Sequence, residues 1–399
     1  MKHCSEDQIT KLELELKETE GRLPADDQAL LPLLVKLAEC HQRAGRLEQA
    51  ENIWRRHLWI AQNCFQPDHL ELASSVNHLA INISMQHRYS EAAPLYLQAL
   101  AARRQHLGDD HPEVAKLYNN LGGLYTRTGE YAEAEQLLSK AWSIYKDRSM
   151  AESGSAAKCL SNMVGVYKET GRLDLAERTA EQALVLAKGL YDEDNPVYCT
   201  MLNNLAAVYS VNHKPAKATE LLQKGIELKH RHHDPEHPDL IIYLNNLADA
   251  YTSQHQYSQA EATYRQALGI GEKRLGAQHP FTGITRMGLG VLYSLRDEPA
   301  QAEQEFNKAF QILQTAWGSD HPDVAMVKYK HADLFLAEGK LNQAEQAYLT
   351  ALAIFERTVG PKHPWVHDIL RKLSKVCFDL GMAEQAESYL KRSLHNGPQ

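Results

Sequence analysis

HPEVAKLYNNLGGLYTRTGEYAEAEQLLSKAWSIYKDR, residues His111 to Arg148, sets the reading of the whole chain. It consists of two amphipathic halves split at Thr128-Gly129, and a shift of 42 residues in either direction brings the pattern back. One register position is filled by His69, His111, Ser153, Asn195, His237, His279, His321 and His363, and proline follows directly at 112, 196, 238, 280, 322 and 364. Proline suits the first position of a helix, where its missing N–H would be unpaired in any case. The residue before it is pushed into extended geometry, which an N-cap requires. Ser153 and Asn195 are themselves good capping residues, so the slot reads as a helix start and its histidines need no chemical role.

Small residues recur with the same period. Alanine stands at 50, 92, 134, 176, 218, 260, 302, 344 and 386 without exception, where two helices are expected to approach closely. Tyr125, Tyr167, Tyr209, Tyr251, Tyr293 and Phe335 form a second column that fills the space between helices. Gly129, Gly171, Gly339 and Gly381 mark the turn inside a pair, and Gly108, Gly276, Gly318 and Gly360 fit a left-handed ending of the preceding helix. Two helices per unit at such a period mean a solenoid, in which each unit buries its apolar face only against its neighbours.

These columns resemble the tetratricopeptide pattern: Leu121-Gly122, Tyr125, Gly129, Ala134 and Ala141. The long unit, its LGxxHP link and its LNNLA-like helix (Leu202 to Ala206, Leu244 to Ala248) are similar to the kinesin light chain variety, over about residues 30 to 395. The resemblance implies an all-α, right-handed superhelical solenoid of about nine helix pairs. Residues 1–26 are expected to be an N-terminal capping helix and link, 27–395 the solenoid, and 396–399 a tail. Units then start near 27, 69, 111, 153, 195, 237, 279, 321 and 363. The long heptad region that kinesin light chains carry ahead of their repeats has no counterpart here. Ile9, Leu12 and Leu16 instead suggest a short helix over the first repeat. The link from Met150 to Ser155 lacks both the glycine and the proline of its register and is the expected soft joint.

Bulk properties narrow the partners. A net charge of −8 argues against general nucleic-acid binding, and no run of 18 apolar residues exists to insert in a membrane. The start MKHCSEDQ lacks an apolar signal core, so the chain reads as cytoplasmic. Six scattered cysteines without a CxxC pair read as reduced and packed. No nucleophile, nucleotide or zinc motif is present, and no cofactor is expected. The cluster from His230 to His237 has metal-like composition, but its spacing fits no closed tetrahedral site and His237 belongs to the helix-start column.

The expected function is therefore a non-catalytic adaptor. By the resemblance, the first helix of each pair lines a concave groove, faced by the asparagine in the first position of the Asn-Asn register: Asn77 (followed by His78), Asn119, Asn203 and Asn245. Asparagine offers both donor and acceptor and can hold an extended backbone. The second members, Asn120, Asn162, Asn204 and Asn246, are assigned to the repeat itself. Lys116, Arg127, Lys158 and Lys168 would make the wall basic, with Glu169 opposing, and would attract an acidic peptide segment. A carboxylate clamp is rejected: Arg371 and Lys375 fit it, whereas Met287, Val291, Tyr329 and Asp333 do not. The alternative reading is a peptide-responsive sensor that switches a signalling or transcription partner. The last repeat has no further helix on it, which opens that face to self-association.

Overall fold

The computed structural model describes residues 6–66, 69–193, 195–232 and 236–395. All regular structure among them is helical. Helix α1 (Glu6–Glu20) and a short 3-10 turn (Gln28–Leu30) precede nine helix pairs. These are α2 (Leu31–Arg43) with α3 (Leu47–Cys64), α4 (Leu70–Met85) with α5 (Tyr89–Leu107), and α6 (Pro112–Thr128) with α7 (Tyr131–Asp147). Then come α8 (Gly154–Glu169) with α9 (Leu173–Leu190), α10 (Pro196–Val211) with α11 (Pro215–His232), and α12 (Leu240–Ser253) with α13 (Tyr257–Arg274). The last three are α14 (Pro280–Leu295) with α15 (Pro299–Trp317), α16 (Pro322–Ala337) with α17 (Leu341–Thr358), and α18 (Pro364–Asp379) with α19 (Ala383–His395).

Helix starts follow from the capping slot. The Nδ1 atoms of His69, His111, His237, His279, His321 and His363 each accept the backbone N–H two residues on, at 3.1 to 3.3 Å. Asn195 accepts from Val197 at 2.9 Å and Ser153 from Ala156 at 3.2 Å. Asp27, one period before His69, accepts from Ala29 at 2.8 Å. A ring nitrogen thus does here what a hydroxyl or carboxylate does at ordinary helix starts. Pro215 and Pro299 each open a second helix, where the lost N–H costs nothing.

The turn within each pair has one residue of positive φ. Glycine supplies it at 45, 129, 171, 339 and 381, but His87, His213, His255 and Asp297 take the same slot at φ of 53° to 61°. Gly108 and Gly318 do have positive φ, yet their ψ of 162° and 171° is extended, which corrects the expected left-handed helical ending. That corner of backbone space is open almost only to glycine.

The alanine column is fully buried from Ala50 to Ala344, and Ala386 is 6% exposed. Cross-repeat clasps recur beside it. Glu51 accepts from Gln86 Nε2 at 2.8 Å and Arg88 Nη1 at 2.7 Å. In the same register Glu177 accepts from Asn212 and Lys214, both at 2.7 Å, and Glu261 accepts from Arg296 at 2.6 Å. Helix α1 lies on the first pair, burying Ile9 and Leu16 among Leu33, Leu34, Leu37 and Ile60.

The chain divides into two compact units. The break falls between Ala151 and Glu152, inside the link that lacks the glycine and the proline of the repeat register, with Thr128–Tyr131 assigned to the second unit. One expectation is corrected. Cys64, Cys159, Cys199 and Cys377 are free thiols, but Cys40 is disulfide-bonded, a pairing that no sequence spacing announced. Cys4 lies outside the described residues.

Candidate functional site: the first-helix face

In the second unit, the first helices of successive pairs touch one another directly: α8 with α10, α10 with α12, α12 with α14, and α14 with α16. They form one continuous inner layer, against which the second helices pack from outside. A side-chain ladder joins them. Asn204 Nδ2 donates to Ser161 Oγ at 2.6 Å, Asn246 Nδ2 to Asn203 Oδ1 at 2.7 Å, and Thr285 Oγ1 to Asn245 Oδ1 at 3.0 Å. In the first unit, Asn120 Nδ2 donates to Asn77 Oδ1 at 3.4 Å. The adjacency of the two asparagines explains this: one side chain looks back to the preceding repeat while its neighbour looks forward.

Each sequence-derived site residue can now be placed. Asn77 and Asn203 are half-buried, with the side-chain oxygen held by the next repeat and the amino group given no partner among the described residues. Asn119 and Asn245 are 4% and 9% exposed. That corrects the expectation that all four asparagines face the groove: these two are enclosed by neighbouring helices. Lys116 is exposed but paired with Glu113 on its own helix, and Lys168 is paired with Glu169 at 3.1 Å. Both charges are therefore partly cancelled, and the expected basic wall is weaker than its count of cations. Arg127 and Lys158 are exposed and make no ion pair among the described residues. Arg127 lies close enough to act on His87. Burial first, and then that positive charge, push the His87 imidazole down to about 4.

The inner layer has a second character that charge counting missed. Ile242 of α12, Leu295 of α14 and Val211 of α10 are exposed. Ile284, Met287 and Val291 of α14 and Met326 of α16 are half-buried on the same layer. The signal was present in the sequence for some of them, since Ile242, Ile284 and Met326 share a register with Ser74, Lys116 and Lys158, and Met287 shares one with Asn77, Asn119 and Asn203. In the last two repeats the polar groups satisfy one another. Lys372 Nζ donates to Tyr329 Oη at 2.7 Å and to Asp333 at 2.8 Å, and Tyr329 Oη donates to Asp368. Lys372 therefore ties repeats together instead of simply facing solvent on a terminal cap.

No group of three or more metal-ligating side chains occurs among the described residues. Residues 233–235 of the histidine-rich segment lie outside them. No helix is long and apolar enough to cross a membrane.

The architecture is that of a helical-repeat protein whose units are helix pairs. The tetratricopeptide repeat model matches residues 30–105, 74–147, 155–231, 198–273, 240–315 and 323–396, so the chain belongs to the tetratricopeptide repeat family. No curated protein matches it. Among solved structures, it is similar to a Rap protein complexed with Competence and Sporulation Factor, at 15% identity and a TM-score of 0.60, over 92% of this chain and 98% of that one. BtubC (BKLC) from P. vanneervenii matches at 19% identity and a TM-score of 0.46, over 56% and 90% of the two chains. Repeats of a putative kinesin light chain from Podosopora anserina match at 19% identity and 0.31, over 63% and 98%.

Proposed function

We propose that this chain is a non-catalytic scaffold that binds an extended peptide segment along its first-helix layer. The observation that carries the proposal is the state of the ladder in the second unit. Asn246 holds the oxygen of Asn203, and the amino group of half-buried Asn203, given no partner among the described residues, is the group proposed to take a backbone carbonyl. Lys158, exposed and without an ion pair among the described residues, gives an acidic side chain a counter-charge. Exposed Ile242 and Leu295 give apolar side chains a surface to leave water on. The ligand class is therefore a segment with carboxylates toward α8 and apolar side chains toward α12 and α14. In the first unit, Asn77 and Arg127 offer the same chemistry, with Lys116 as a weaker contributor and Asn119 as a buried support for its helix; in the second unit Lys168 and Asn245 stand in the same two roles. The Rap structure, a complex with Competence and Sporulation Factor, supports the reading only through its shared fold.

Selection from a random peptide library tests it. The expected result is enrichment of acidic, apolar-bearing sequences. Joining Lys158→Glu to Asn203→Ala should weaken the enriched peptide by about tenfold or more, as removal of a charge partner and a hydrogen-bond donor together does. Enrichment of basic peptides, or unchanged affinity in the double variant, would overturn it.

A further inference from the structure

Two carboxylates occupy one register position of the inner layer, and the chain pairs only one of them with a cation. Aspartate stands at this position in the sixth and eighth repeats alone, as Asp249 and Asp333, and each has a tyrosine 15 residues on, Tyr264 and Tyr348. The tyrosines reach back from the second helix of the pair, α13 or α17. Tyr348 Oη donates to Asp333 Oδ1 at 2.6 Å, and Tyr264 Oη donates to Asp249 Oδ1. Both rings are buried, so each phenol holds its carboxylate in one place.

In the eighth repeat this pair takes an ammonium. Lys372 Nζ, from the first helix of the next repeat, donates to Asp333 Oδ1 at 2.8 Å and lies 6.0 Å from the Tyr348 ring centroid. The residue two periods before Lys372 is Gly288. A Cβ there would stand 2.5 Å from the Tyr264 ring, so that backbone lies against the ring and a lysine has no room to start from it. Asp249 is exposed and makes no ion pair among the described residues. Lys330 acts on its carboxyl from a distance, while lying over the Tyr329 ring at 4.9 Å. Solvent reaches Asp249, yet the helices around it displace enough water that desolvation outweighs both the Tyr264 hydrogen bond and Lys330. The carboxyl is pushed up to about 6, as befits a carboxylate short of a counter-ion.

We propose that Asp249 receives a lysine ammonium from the segment bound along the inner layer, as Asp333 receives that of Lys372. Exposed Ile242 stands seven residues earlier on α12 and so on the same helix face, which puts the carboxylate on the surface assigned to the segment. A charge-assisted hydrogen bond to a carboxylate fixed by Tyr264 selects an ammonium over a neutral side chain of like length. The bound segment then carries one lysine among its acidic and apolar residues. The inference rests on the peptide-binding reading and adds one contact to it.

Selection from a random peptide library on the native chain and on Asp249→Asn tests it. Asparagine keeps an acceptor for Tyr264, so the variant should retain its helical content by circular dichroism. The native chain should enrich lysine at one peptide position, and the variant should lose that preference while keeping the acidic and apolar ones. Glutamine in place of that lysine should weaken the native complex by about tenfold or more, and the Asp249→Asn complex by less than about twofold. Asp333→Asn should keep the lysine preference, because Lys372 already serves Asp333. Enriched acidic, apolar peptides with no favoured lysine would overturn this inference and leave the peptide-binding reading standing, whereas failure to enrich any peptide would overturn both. A lysine preference that survives in Asp249→Asn, or that is lost in Asp333→Asn, would place the ammonium elsewhere and overturn it as well.

Discussion

A single methyl group repeated down the chain decides how closely the helices pack. Ala218 and Ala260 are fully buried where a second helix crosses its neighbours, so no larger side chain has room. Ala260→Leu should cost roughly 1–3 kcal/mol, read as a lower denaturant midpoint at unchanged slope. The opposite sign is expected in the turn column. His213 is exposed and held at φ 53°, a conformation that costs a residue with a Cβ about 1 kcal/mol, so His213→Gly should raise the melting temperature. Gly171→Ala, in the same slot at φ 72°, should lower it. The histidines add a pH dependence. His57, His331 and His363 are buried and held near 4, with desolvation the leading cause for each. Their folded values lie below the ordinary 6.5, so the unfolded chain takes up protons first as pH falls. Their stabilisation is complete above about 6.5 and is lost between there and 4, at up to about 1.4 kcal/mol per pH unit for each group. Urea melts at pH 7 and pH 5 check this, and a more stable protein at pH 5 would contradict it. At this scale the sequence was highly legible, since proline, alanine and glycine each have one strong local reason to recur. The capping role of the histidine Nδ1 was legible only as a register position.

Between elements, stability rests on what one repeat hands to the next. Glu261 is 16% exposed in its side chain and accepts from Arg296 at 2.6 Å across the repeat boundary. It also bonds Tyr293 of the same neighbouring helix at 3.0 Å. Glu261→Ala should lower stability by about 1 kcal/mol, and Arg296→Ala should add little once Glu261 is gone. A double-mutant cycle in urea measures the coupling, and fully additive losses would sink the clasp. The same scale explains what sequence reading could not resolve in the candidate site. Periodicity put Asn119, Asn203 and Asn245 on one helical face, but it could not say which of them the next helix would bury. Nor could it see that Glu113 and Glu169 reach Lys116 and Lys168, since an i,i+3 or neighbouring carboxylate bonds or not according to rotamer. The apolar inner positions Ile242, Met287 and Leu295 were readable in the repeat register and escaped a reading that looked for charge.

For the molecule as a whole, a stack of like units is held by nearest-neighbour interfaces, so damage should spread only locally. Hydrogen exchange on Ala344→Leu should show lost protection in α16 to α19 before α8 and α9, while uniform loss along the second unit would indicate a single cooperative body. The period made the number of pairs readable from sequence. The division at Ala151 falls in the link that lacks the glycine and proline of its register, although the period itself reads as one solenoid across it. The central claim is that the first-helix layer, and not the outer surface, receives another polypeptide. A photo-crosslinking residue placed at Lys158 or Thr200 on the first-helix side, or at Gln182 or Glu220 on second helices, tests it most directly in a cell lysate. All four native side chains are exposed. The account predicts polypeptide adducts from the first two positions and none from the other two. Adducts from Gln182 and Glu220 instead, or equally from all four, would contradict it.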